Sequence, residues 1–147
     1  MKDGNGQGGI RTAVELLCTD PAAAKAQYGP IASWDTSEIT DMSSVFFVSE
    51  RRRSEFASFN GDISRWNVSN VTKMNCMFDG ATSFNCDLSQ WDVSNVTHMN
   101  GMLDGATSFT HQLGGAWSTS AAEKSWMFRN CPGSIAGKTN NANGTPL

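Results

Sequence analysis

The sequence predicts an α/β solenoid, one short parallel strand plus one helix per repeat, and two observations carry that expectation. Residues 66–85 read WNVSNVTKMNCMFDGATSFN, and residues 91–110 read WDVSNVTHMNGMLDGATSFT. Self-similarity at such a period is the mark of stacked units that cannot bury their apolar face alone. Within each unit the apolar spacing then changes from two to three and four, which reads as a strand followed by a helix.

The strand is expected at Trp66-x-Val68 and Trp91-x-Val93, preceded by Ile63 and Leu88, so that the apolar pattern is L-x-x-L-x-L. The helix is expected to start at Ser69 or Ser94, placed to cap a first turn. It continues through Val71, Met74, Met77, Phe78 and Ala81 and ends at Asp79-Gly80 or Asp104-Gly105. Phe84 and Phe109 return to the core. Asn60 and Asn85, each following a Phe, are placed to bond backbone groups of the neighbouring unit.

Two flanking copies are degraded. Trp34, Ile39, Met42, Val45 and Phe46 repeat the spacing upstream, before an insertion around SERRRSE. Downstream, Trp117, Met127, Phe128 and Cys131 follow it with shifts of a residue. The predicted organisation is a disordered lead at 1–9, a helical N-terminal cap at 10–30, four repeats at 31–131 and a disordered tail at 132–147. The repeats are 31–60 with its insertion, 61–85, 86–110 and the degenerate 111–131. In the cap, Asp20-Pro21 reads as an N-cap followed by proline at the first helical position, and Gly29-Pro30 as the stop.

The wording W-[DN]-V-S-N-V-T-x-M-x-x-M-F-x-x-A-x-x-F-N-x-D-[IL]-S resembles BspA-type leucine-rich repeat surface proteins, over roughly residues 31–131. The resemblance implies a short leucine-rich-repeat-like solenoid and, in bacteria, cell-surface adhesion or host contact. It implies no enzymatic activity and supplies no catalytic residues. The function expected is therefore a non-enzymatic repeat-protein binding module, for adhesion or protein–protein interaction through the sheet face. The alternative is an intracellular scaffold protein or a fragment of a longer repeat array.

Composition narrows the partners. The net charge of −3 does not suit a nucleic-acid binder. No apolar stretch approaches the ~18 residues of a membrane helix, and no signal peptide is visible in MKDGNGQGG, although the resemblance points to a surface location. The five Trp, seven Met and eight Phe fall mostly on repeat positions and read as core. The four Cys do not follow the repeat and read as free thiols. No cofactor or metal is expected, since no His, Cys or carboxylate set has ligand spacing. Asp62 and Asp87 read as turn residues making Asx-type bonds. GSIAGKT at 133–139 is one residue short of a phosphate loop. Asn67, Asn70, Asn95 and Asn143 head glycosylation sequons, the first three arising from the repeat wording itself.

With Trp and Val directed inward, their neighbours form two outward columns. One holds Ser33, Arg65, Gln90 and Ala116, the other Asp35, Asn67, Asp92 and Ser118. Ser33, Asp35, Arg65, Asn67, Gln90, Asp92 and Ser118 are the expected binding face, with a protein or glycan as ligand and a monomer as the working unit. Arg51–Arg53, flanked by Glu50 and Glu55, reads as a solvated loop.

Overall fold

Helical structure comes first along the described chain. The computed structural model describes Met1 and residues 9–147, with only the backbone of Arg53; most of the lead expected at 1–9 lies outside the described residues. Helix α1 spans Ile10–Thr19 and buries Ile10, Ala13 and Val14. Helix α2 spans Pro21–Tyr28, with Asp20 Oδ1 accepting from the Ala23 amide at 3.0 Å. Gly29 ends it with φ 77°, a conformation that favours glycine. Arg11 of α1 donates to the Ser43 carbonyl at 2.7 Å and lies 3.6 Å from Asp41, which ties the helical pair to the rest of the chain.

Beyond residue 30 regular structure is sparse. Short 3₁₀ turns stand at Ile31–Ser33 and Glu50–Arg52. Helix α3 spans Arg53–Ala57 and α4 spans Ala116–Thr119. Strands β1, Gln112–Leu113, and β2, Ser134–Ile135, form a two-stranded parallel sheet in the register Gln112↔Ser134 and Leu113↔Ile135. The described residues thus form a small domain of four irregular helices and one open two-stranded sheet. The leucine-rich-repeat-like solenoid expected from the sequence, with a strand and a helix in every repeat, is overturned.

The reason lies in the backbone hydrogen bonds of residues 61–110. Where a strand was expected, the Trp66 amide closes a turn on the Ile63 carbonyl at 3.1 Å, and Val71 does the same on Val68 at 2.9 Å. Where a helix was expected, Met77, Asp79 and Ala81 bond to Met74, Cys76 and Phe78, each three residues back. Cys76 and Gly80 take left-handed φ values of 53° and 76°, which no α-helix accommodates. A chain of three-residue turns places apolar side chains three and four apart, as a helix does, so periodicity alone does not separate them.

The amides left over reach the next segment. Met74, Cys76, Phe78 and Gly80 donate to the carbonyls of His98, Asn100, Met102 and Asp104 at 2.8–2.9 Å. Asn60 Oδ1 accepts from the Asn85 amide, and Asn85 Oδ1 from the Thr110 amide, at 2.8 and 3.1 Å. Asn75 and Asn100 do the same for Asn100 and Ser125. These side chains satisfy donors that no sheet ladder serves.

A single apolar core runs through the molecule. Phe46, Phe78, Phe84 and Phe109 are fully buried, with Phe78 and Phe84 stacked at 4.0 Å. Trp34, Trp66, Trp91 and Trp117 are buried, and their indole N–H groups donate to the carbonyls of Gly29, Ile31, Ile63 and Leu88. The tail at 132–147, expected to be disordered, is anchored. Besides β2, the Gly144 carbonyl accepts from Phe128 at 2.8 Å and Thr145 Oγ1 accepts from Trp126 at 2.9 Å.

Candidate functional site

The buried tryptophans organise the surface beside them. Each indole is pinned by its bond to a carbonyl, so the residues on either side point outward. Ser33, Asp35, Arg65, Asn67, Gln90 and Asp92 are exposed, and Ser118 is half-buried. No sheet carries them, because β1 and β2 lie elsewhere and hold two residues each.

Several of these side chains are committed to local turns. Asp35 Oδ1 accepts from the amide and hydroxyl of Ser37, Asn67 Oδ1 from those of Ser69, and Asp92 Oδ1 from those of Ser94. Asp62 and Asp87 receive the same pair from Ser64 and Ser89. The bonds favour the ionised carboxylate and hold Asp35, Asp62, Asp87 and Asp92 below the usual range. Ser69 and Ser94, read in the sequence as helix caps, serve these turns instead. Ser33 Oγ donates to the Pro30 carbonyl and Ser118 Oγ to that of Ala136. The amides of Asn70 and Asn95 are tied to the carbonyls of Ser37 and Ser69.

Of the seven expected residues, the structure brings Gln90 and Asp92 into one concavity. A cleft of about 570 Å³ is lined by Ser89, Gln90, Trp91, Asp92 and Gly114–Ala116. Gly114 and Gly115 carry no side chains to fill it. Gly115, with φ 58°, has nothing within 4 Å of where a Cβ would stand. Gln90 makes no side-chain hydrogen bond among the described residues, so its carboxamide is free for a ligand. Ser33, Asp35, Arg65, Asn67 and Ser118 do not line this cleft.

A second polar cluster was missed from the sequence, where Asp79 and Asp104 were read only as helix ends. Asp104 is 7 % exposed, and Arg129 Nε donates to its Oδ2 at 2.8 Å. Arg129 also lies 5.8 Å over the exposed Trp126 ring. Burial, and then the nearby Asp104 carboxylate, push the Asp79 carboxyl up. The available signal was arginine standing at residue 129, where the two preceding segments carry aspartate.

Chemistry is sparse. Burial pushes the Cys18 and Cys131 thiols up to about 11, and Cys76 and Cys86 are raised by burial as well. His98 Nδ1 pairs with Thr97 Oγ1, and His111 Nε2 with the Asn85 carbonyl. Among the described residues no group of three or more His, Cys, Asp or Glu could hold a metal ion. No helix there is long and apolar enough to cross a membrane.

Residues 19–140 match the model of a family described as "Mycoplasma protein of unknown function, DUF285". No curated protein matches the chain, and no solved structure does. The BspA-type resemblance is thereby corrected. With it falls the expected repeat module for adhesion or protein–protein interaction, and the longer repeat array of its alternative, because the described residues form no array of strand–helix units.

Proposed function

We propose, for a chain that belongs to this DUF285 family, a non-enzymatic domain that binds a glycan in the cleft beside Gln90 and Asp92. The observation that carries the reading is the juxtaposition of these two side chains with the bare Gly114–Gly115 backbone. The cleft volume lies inside the ~300–1,000 Å³ typical of small-molecule sites. Its walls offer the uncommitted Gln90 carboxamide, the Asp92 carboxylate, whose Oδ1 is held by Ser94, and backbone groups, beside the small apolar surface of Ala116. Several neutral donors and acceptors around a short apolar strip suit a polyhydroxylated ring. Trp91, held by its bond to Ile63, fixes the backbone from which both polar side chains extend.

Burial raises all four thiols, which argues against a cysteine nucleophile, since thiolate and not thiol is the nucleophile. A net charge of −3 supports a ligand other than nucleic acid. The working unit proposed is a monomer.

Screening the purified chain on a glycan array, followed by NMR titration with the best binder, tests the reading. Shifts should centre on Gln90, Asp92 and Gly115. Gln90→Ala should weaken binding about fivefold to tenfold, ~1–1.4 kcal/mol for one lost hydrogen bond, at unchanged melting temperature. An array without binders, or shifts that avoid these residues, overturns it.

A further inference from the structure

The turns at 42–48, 74–80 and 99–105 point their alternate amides the same way. Met42, Ser44, Phe46 and Val48 donate to the carbonyls of Lys73, Asn75, Met77 and Asp79, and each later row donates likewise to the segment after it. The carbonyls of Met42 and Ser44 are spent inside the turns, accepting from Val45 and Phe47. The edge of such a row therefore offers donors alone. An ordinary extended strand, which presents donors and acceptors along one edge, does not match it.

At the row of residues 124–130, a hairpin of residues 139–147 takes the place of a following segment. Thr145 Oγ1 accepts from the Trp126 amide at 2.9 Å, and the Gly144 carbonyl from the Phe128 amide at 2.8 Å. The Trp126 and Phe128 carbonyls again close turns, accepting from Arg129 and Cys131 at 3.1 Å each.

The hairpin is complete in itself. Asn140 pairs antiparallel with Pro146, Leu147 donates to the Thr139 carbonyl at 2.9 Å, and Asn141 Oδ1 accepts from the Asn143 and Thr145 amides. Its hold on the rest of the chain is slight. Beyond the two bonds to the row, Asn140 Nδ2 donates to the Gly133 carbonyl at 3.0 Å. Asn140 Oδ1 is buried and accepts no hydrogen bond among the described residues. Ala142 is exposed, Leu147 is 70 % exposed, and neither packs on the apolar core. A unit held by hydrogen bonds with little apolar burial opens at low cost. Its connection to β2 is a tight turn, in which Lys138 donates to the Ile135 carbonyl at 3.0 Å. Gly137 stands in that turn at φ 77°, with nothing within 4 Å of where a Cβ would stand. Straightening this turn carries the hairpin off its row as one piece.

We propose that the hairpin exchanges between two copies of this chain, each copy's hairpin seated on the other's donor row. The match of donors to acceptors fixes the occupant. The segment that satisfies this edge within one copy satisfies it identically in another. Every bond broken on opening re-forms across the pair, and only the tight turn is lost. The exchange involves no residue lining the Gln90–Asp92 cleft and stands independently of the glycan reading.

Labelled and unlabelled full chains, kept reduced so that the free cysteines form no bridges, are mixed at millimolar concentration, warmed below the melting temperature and cooled. Size-exclusion chromatography with light scattering should separate a dimer. Isotope-filtered NMR of that fraction should connect Thr145 of one copy to the Trp126 amide of the other. Gly137→Ala strains the tight turn but not an extended connection. It should raise the dimerisation constant about thirtyfold or more, since two turns are relieved per dimer. Thr145→Val removes the same hydrogen bond from both forms, so it should speed exchange about fivefold and leave the dimerisation constant unchanged. Wild type and Gly137→Ala that both stay monomeric, or a dimer whose Thr145–Trp126 contacts lie within one copy, would overturn the exchange. A dimerisation constant that shifts in Thr145→Val would overturn the identity of the bonds in the two forms.

Discussion

At the residue scale, Asp79 is shifted in the opposite direction to the aspartates bonded by serine. Asp35, Asp62, Asp87 and Asp92 accept serine donors, and their carboxyls titrate below the usual range. Their contribution to stability is present above the ordinary aspartate pKa of ~3.9 and is lost as pH falls through their lower folded values. Asp79 is raised, so its folded form holds a proton more tightly than the unfolded chain does. Stability from Asp79 is therefore greatest at low pH and declines as pH rises from the ordinary value through the raised one. Asp79→Asn should remove that decline and raise stability at pH 7, by no more than about 1 kcal/mol after solvent screening. Urea unfolding at a series of pH values checks it; a less stable variant at pH 7 would contradict the assignment. Wild-type stability should still fall below pH ~4, because the serine-bonded group dominates there.

At the scale of elements, the tail is a working part of the fold. Its capping bonds to Trp126 and Phe128 require Gly144 to lie against the backbone of Arg129. A Cβ at Gly144, where φ is 72°, would come within 2.2 Å of the Arg129 amide nitrogen. Gly144→Ala should therefore cost about 2 kcal/mol or more, adding backbone strain to a steric clash. Hydrogen exchange should show faster amide loss at Trp126 and Phe128, while α1 and α2 stay protected. A melting temperature equal to wild type would mean the tail is dispensable. The same scale shows what was legible. Asp20-Pro21 and Gly29-Pro30 are local signals, and α2 lies between them. Helix through Val71–Ala81 was not excluded by local signals, because turns of three and an α-helix share the same apolar spacing.

For the whole molecule, stability should follow the aromatic core and not the exposed aromatics. Phe84 is fully buried between Phe78 at 4.0 Å and Phe109 at 6.0 Å. Phe84→Ala should cost about 3–5 kcal/mol. Phe47, 36 % exposed, should lose less than about 1 kcal/mol as alanine. Guanidinium unfolding of the two variants makes the comparison, and similar losses would show that the core does not centre on the phenylalanine row.

The sequence by itself determined which side chains are inside. Trp66, Val68, Met74, Phe78 and Phe84 are buried as their repetition implied, and so are their partners 25 residues on. Polarity placed Gln90 and Asp92 outside and hydrophobicity placed Trp91 inside, and all three lie as their character implied. Only the tertiary structure decided how the backbone satisfies its hydrogen bonds. Left-handed residues at Cys76 and Gly80 send alternate amides to a distant segment, and this choice between helix and turns rests on long-range partners absent from any local pattern. It decided the cleft for the same reason. Gly114 and Gly115 meet Gln90 only once the chain has closed on itself.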